Sequence, residues 1–206
     1  MNKIKVLVAD DHTIVRIGLM ALLGTQKDIV VVGEAKNGDE VVSKTLQLNP
    51  DVVVMDLIMP HKDGVAAISE LKEKASKVKI VVLTSFGTSN DISHALDAGA
   101  NGAILKTGDD NELIDAIRAI VAGNCFISPQ IHQMLKQSPP VPILTERQQY
   151  IVSYIARGLT NNDIAEALGI SPTVVREHIT TILTKIGAAN RAEAVAIALR
   201  KHLLKL

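Results

Sequence analysis

Five times in its first 121 residues the chain passes from a short aliphatic run to a helical pattern. The runs are Ile4–Ala9, Ile29–Glu34, Val52–Met55, Ile80–Leu83 and Gly102–Leu105. Between and after them, helical periods cover roughly His12–Leu23, Asp39–Leu48, Val65–Lys74, Asn90–Ala98 and Asn111–Val121. Val52-Val53-Val54 shows the character of the runs: too short and too branched at Cβ for a helix, and apolar at every position. A strand with no polar alternation is covered on both faces, and helical crossovers between such strands make them parallel. The expected fold is therefore α/β: a doubly wound, five-stranded parallel sheet in the flavodoxin-like order 2-1-3-4-5. Gly24 stands where a helix C-terminus needs it, and Asp109 or Asp110 can cap the fifth helix.

From Gly123 the periodicity fades. Ser128-Pro129 can open a short helix, and Ser138-Pro139-Pro140-Val141-Pro142 reads as an extended linker. Beyond it only helical periods occur. Thr145 is placed to cap a first helix that runs to about Arg157; Thr160 or Asn161 caps a short one, which Gly169 closes. Ser171-Pro172 opens a third helix, so Gly169-Ile170-Ser171 is the tight turn of a helix-turn-helix, and a fourth helix starts at Arg191. The expected organisation is residues 1–123, a linker over 124–142, and a small all-α four-helix domain over 143–206.

Charge divides the same way. Residues 1–124 hold 13 Lys/Arg against 17 Asp/Glu, and residues 143–206 hold 8 against 5. An acidic front and a basic back point to different partners for the two parts. The one cysteine, Cys125, permits no internal disulfide and fits a reducing cytoplasm. No stretch approaches the ~18 apolar residues of a membrane span, and the run after Met1 is too short for a signal peptide, so a soluble protein is expected.

Two strand ends carry the chemistry. The first strand leads into Asp10-Asp11, and Val52–Met55 leads into Asp56, with Pro60 and Gly64 soon after. In a parallel sheet, ligands gather beyond the carboxyl ends of the strands. Three carboxylates there repel one another unless a hard cation lies between them, and Mg2+ suits an oxygen-only site.

At this point the chain resembles a known family. Asp10-Asp11, Asp56-Leu-Ile-Met-Pro-x-x-x-Gly64, Thr84 and Lys106 resemble the receiver domain of two-component systems. Leu144-Thr-Glu-Arg147, Gly158-Leu-Thr-Asn161, Val175-Arg176-x-His178 and Arg191-Ala-Glu-Ala-Val195 resemble the LuxR-type DNA-binding domain. Together they look like a response regulator of the NarL/FixJ type. The resemblance implies Asp56 as phosphoacceptor for a sensor histidine kinase. It also implies Mg2+ bound by Asp11, Asp56 and the main-chain carbonyl of Ile58, with Asp10 acting through water. Thr84 and Lys106 would contact the phosphoryl oxygens. Ile58 and Phe86 would flank that group and obstruct an attacking water. Many receivers carry Tyr or Phe where Ala103 stands here, so the usual rotating ring is missing, and switching would run through the main chain of Ser85 to Asn90.

In the back half, the resemblance places the third helix in the major groove of double-stranded DNA. Val175, Ile179, Ile182 and Ile186 form its buried stripe, and Arg176, Glu177 and Thr180 are the expected base contacts. Thr181 and Lys185 would reach phosphates. Family members often have lysine where Asn162 stands and threonine where Val174 stands, which weakens the phosphate contact expected here. His178 is expected to be partly packed. A homodimer is expected in the active state, through the fourth helix and fifth strand of the receiver and through Val195 and Leu199 on DNA. An aspartyl-phosphate phosphatase is the competing enzyme reading, but it needs an acid where Ile58 stands. A third reading is an adaptor whose helical tail binds protein.

Overall fold

The computed structural model describes residues 3–85, 88–107, 109–137, 139–140, 144–201 and 203–204, leaving aside the side chain of Asp110. Phe86 lies outside the described residues. Two compact units divide between Ser138 and Pro139.

The first unit alternates β1 (Ile4–Ala9), α1 (Thr13–Gly24), β2 (Ile29–Ala35), α2 (Gly38–Leu48), β3 (Val52–Met55), α3 (Gly64–Lys74), β4 (Lys79–Thr84), α4 (Ser89–Asp97), β5 (Gly102–Leu105) and α5 (Asp110–Val121). Two further elements follow: β6 (Phe126–Ile127) and α6 (Pro129–Gln137). All pairings are parallel, in the order β2-β1-β3-β4-β5-β6, so the expected order stands with one strand added at its edge. Successive strand residues point to opposite faces. Leu7, Val53, Ile80 and Ala103 pack with Val41, Ile68 and Ile92 of α2 to α4. Val6, Val54, Val81 and Ile104 pack with Leu23 of α1 and Leu113 and Ile117 of α5. Asn37, Asp63 and Thr88 cap α2, α3 and α4 with their side chains.

The stretch expected as linker over 124–142 thus contains a strand and a helix. Phe126 N–H donates to Asn101 O and Ser128 N–H to Ala103 O, at 3.2 and 3.0 Å, continuing the ladder past β5. Ser128 is buried and starts α6, and fully buried Ile131 joins the cluster containing Ile92, Ala95 and Ala103. A two-residue strand is too short to show any period, whereas the short helix expected from Ser128-Pro129 does form, with Ile131, Met134 and Leu135 at i, i+3 and i+4 on the core. The α6 helix therefore packs on α4 and β5, the face expected to pair two receivers.

One helix leaves apolar surface outside. Ile14 and Ile17 of α1 are 85% and 57% exposed, whereas Arg16 between them is buried.

Among the described residues the second unit has four helices: α7 (Glu146–Ala156), α8 (Asn161–Leu168), α9 (Pro172–Ile186) and α10 (Arg191–Arg200). Thr145 with Gln148 and Thr160 with Asp163 form reciprocal caps on α7 and α8, and Ser171 caps α9 ahead of Pro172. Gly169 turns from α8 into α9 at φ +64°, a left-handed conformation that favours glycine. Ile151, Ile164, Val175, Ile182 and Ala198 build the core.

Candidate functional site

The sheet ladders run on into the acidic residues. Asp56 N–H donates to Ala9 O and Lys106 N–H to Thr84 O, both at 2.9 Å, so neither side chain starts from a free loop. Behind Asp56 the β3–α3 turn folds tightly. A Cβ on Gly64 would come within 2.7 Å of Leu57 Cα and 2.9 Å of Asp56 O, so this close approach requires glycine.

Asp10, Asp56 and Lys106 meet at the strand ends. Lys106 Nζ lies 2.6 Å from Asp56 Oδ2 and also pairs with Asp10. Asp10 is 1% and Asp56 6% exposed, while Asp11 faces outward. Carboxylate oxygens of Asp10, Asp11 and Asp56, with a ring nitrogen of His12, all lie within 4.8 Å of one another. Asp56 Oδ1 accepts from Ile58 N–H at 3.2 Å, and Asp10 Oδ1 from His12 N–H at 2.8 Å. Burial pushes the Lys106 ammonium down, but its bonds to Asp10 and Asp56 outweigh that and hold it above the usual lysine range.

Thr84 is fully buried, and its Oγ1 has no partner among the described residues. Thr84 lines, with Asp11, Asp56, Ile58 and Lys106, a cavity of about 250 Å³. Ile58 is 53% exposed beside it. Three carboxylates against one ammonium, in an open pocket, fit a divalent metal site. Sequence reasoning missed two contributors: His12, whose Nδ1 lies 2.8 Å from Asp11 Oδ1, and Arg16, which grips the loop that carries the acids. Gly64, already part of the motif, permits the turn. Arg16 had a visible signal: it is the one charged residue in α1.

In the second unit, Arg176, Glu177, Thr180 and Thr181 are exposed on α9, opposite Val175, Ile182 and Ile186. The hydroxyls of Thr180 and Thr181 donate back to Arg176 O and Glu177 O at 3.1 and 2.9 Å. Lys185 is half-buried, and its Nζ lies 3.3 Å from Gln148 Oε1, which turns it toward the start of α7. His178 is half-buried, as expected of a packed histidine. On α10, Val195 packs partly into the core and Leu199 is 51% exposed.

Comparison with known proteins agrees with both units. The response regulator receiver domain matches residues 6–118, and the luxR family of bacterial regulatory proteins matches residues 142–198. The chain belongs to the response regulators. It is similar to the response regulator protein VraR of Staphylococcus epidermidis and of Staphylococcus aureus, 38% identical over 207 aligned residues, covering 98% of this chain and 99% of each relative. Among solved structures it resembles the response regulator ChrA of a heme-sensing two-component system, at 34% identity and TM-score 0.59, over 99% of this chain and all of that one. It also resembles RcsB of Salmonella enterica serovar Typhimurium bound to promoter DNA with phosphomimetic beryllofluoride. That likeness has 26% identity and TM-score 0.71, over 95% of this chain and 98% of that one. This response regulator is thus of the NarL/FixJ type, a receiver joined to a LuxR-type helix-turn-helix, and a transcription regulator. No helix among its described residues is long and apolar enough to cross a membrane.

Proposed function

We propose that this response regulator accepts a phosphoryl group on Asp56 from a sensor histidine kinase and, as a dimer on DNA, regulates transcription in response. One observation carries the reading: Lys106 reaches Asp56 at 2.6 Å beside the same cavity that the partnerless Thr84 hydroxyl lines. Phosphoryl transfer asks little covalent chemistry of a protein and much charge compensation on the moving oxygens. An Asp56 oxygen forms its bond to phosphorus while the bond from phosphorus to the kinase's imidazole nitrogen breaks, the electron pair leaving with the imidazole. Lys106 then exchanges a carboxylate partner for a phosphoryl oxygen, and Thr84 turns its hydroxyl toward another. Asp11, Asp56 and the Ile58 carbonyl, with Asp10 through water, would hold Mg2+, which when bound neutralises charge on the phosphoryl oxygens. The chain's own turnover is confined to gaining and slowly losing this group, because Ile58 stands where a phosphatase would need its general acid.

On DNA, Arg176 and Glu177 are the proposed base contacts, with Thr180 beside them. Thr181 and Lys185 would serve phosphates, Lys185 after leaving Gln148. Salmonella RcsB, solved on promoter DNA, supports this use of the back half. Val195 and Leu199 are proposed to meet their counterparts across the DNA-bound pair. Pairing of receivers through α4 and β5 would have to displace α6. The exposed Ile14 and Ile17 favour α1 as the second possibility.

The test is labelling by acetyl phosphate of wild type and Asp56→Asn. Label in the wild type alone is expected; equal label in both removes Asp56 from its role.

A further inference from the structure

Arg16 is buried in the first turn of α1, on a helix otherwise built of Ile, Val, Leu, Met, Ala, Gly and Thr. Its guanidinium donates from Nη1 to Asp10 O at 2.8 Å and Asp11 O at 3.3 Å, from Nη2 to Thr13 Oγ1 at 3.4 Å, and from Nε to Glu34 Oε2 at 2.8 Å. We propose that Arg16 is a positioning residue that fixes the acid-bearing loop Asp10–Asp11 in its metal-binding and phosphoryl-accepting geometry. The proposal rests on the Mg2+ and phosphoryl reading given above.

Two physical points single it out. Arg16 is buried while its partner Glu34 is half-exposed, so solvent weakens their attraction and the desolvation of the guanidinium offsets much of the rest; an apolar side chain of similar volume commonly serves stability as well. Leucine at this position of α1 would match its neighbours. What leucine cannot do is hold two successive carbonyls from one side. With the Asp10 and Asp11 carbonyls turned to Arg16, and Asp10 N–H bonded to Ala35 O at 3.1 Å, the backbone is fixed by partners outside the cavity. The carboxylates are then left to point toward Asp56 and Lys106. Glu34, at the end of β2, holds the guanidinium in turn and balances its charge. The planar five-donor fork suits this task; a lysine supplies the charge but cannot span Glu34 and both carbonyls at once.

Loss of an outer partner that orients a metal ligand costs about 10- to 100-fold in metal affinity. We therefore expect Arg16→Gln and Arg16→Lys, in the full chain, to bind Mg2+ about 10- to 100-fold more weakly by calorimetric titration. Acetyl-phosphate labelling of Asp56 should need correspondingly more Mg2+ for half its maximal rate, and excess Mg2+ should restore most of that rate. A purely structural role would lower melting temperature without moving this Mg2+ dependence, and Arg16→Lys provides a folded variant if Arg16→Gln does not fold. Unchanged Mg2+ affinity in a folded Arg16 variant overturns the proposal. If the wild type itself bound no Mg2+, the reading beneath would fail. Backbone amide spectra of Asp11 and His12 would still decide the positioning role, because signals unmoved in Arg16→Lys overturn it.

Discussion

Replacing Lys106 by methionine keeps most of the unbranched side chain and removes the ammonium that bonds Asp56 and Asp10. Both carboxylates are buried, at 6% and 1% exposure, so their charge is left without that partner. Truncating one member of a buried pair costs about 3–5 kcal/mol; the open cavity beside these acids admits water and places the cost near the lower end, about 3 kcal/mol. At about 3 °C per kcal/mol for a unit of this size, the receiver transition should fall by about 10 °C in chelator. Magnesium should reverse this, since ligand at about 100 times its dissociation constant returns about 2.7 kcal/mol. The folded pKa of Lys106 is raised, so its contribution is whole below the unfolded value of 10.5 and is lost only as pH rises through the folded value. Neutral pH is therefore the right condition. Differential scanning calorimetry, with chelator and with Mg2+, reads both effects on a chain whose two units can melt separately. A variant that melts with the wild type in chelator would refute the idea that Lys106 offsets the charge of these acids.

Ile58→Asn should speed loss of the phosphoryl group from Asp56 by about tenfold, equivalent to about 1.4 kcal/mol of barrier, by letting water approach in line; decay of the labelled protein measures it. Leu199→Glu should weaken DNA binding by about tenfold or more in a gel shift, about 1.4 kcal/mol, with labelling of Asp56 intact; Val195→Asp should do the same at some cost to the core of its unit. Undiminished affinity would reject α10 as the pairing surface. Ala103→Phe should destabilise the receiver by about 1–3 kcal/mol and loosen α6 in hydrogen exchange, because the space beside Ala103 is filled by the cluster containing Ile131. Unchanged stability and exchange would show room for a ring there.

That last position shows where sequence and structure part. Ala103 reads as the loss of a rotating ring; folded, it lies on a β5 whose ladder continues into β6 and whose face carries α6. Nothing in a two-residue strand announces this, whereas the largely apolar runs of four to six residues made β1, β3 and β5 readable to their end residues. The meeting of Asp10, Asp56 and Lys106 was legible because parallel strands bring their carboxyl ends to one edge. Arg16 stood out as the one charge in α1, but its burial did not, since α1 is apolar nearly all round and its inward face cannot be told from periodicity. The bond from Lys185 to Gln148 joins residues 37 apart and follows only from how α7 and α9 pack. The donation of the Thr180 and Thr181 hydroxyls to carbonyls of their own helix is likewise visible only in the fold.

The central claim is that charge placed on Asp56 changes how this protein meets DNA. Affinity for a promoter fragment and sedimentation of the full chain, each with and without beryllofluoride at one stated salt concentration, test it directly. The account predicts a dimer and tighter binding with beryllofluoride, both lost in Asp56→Asn. Identical affinity and mass in the two states would contradict it and leave a regulator that does not switch.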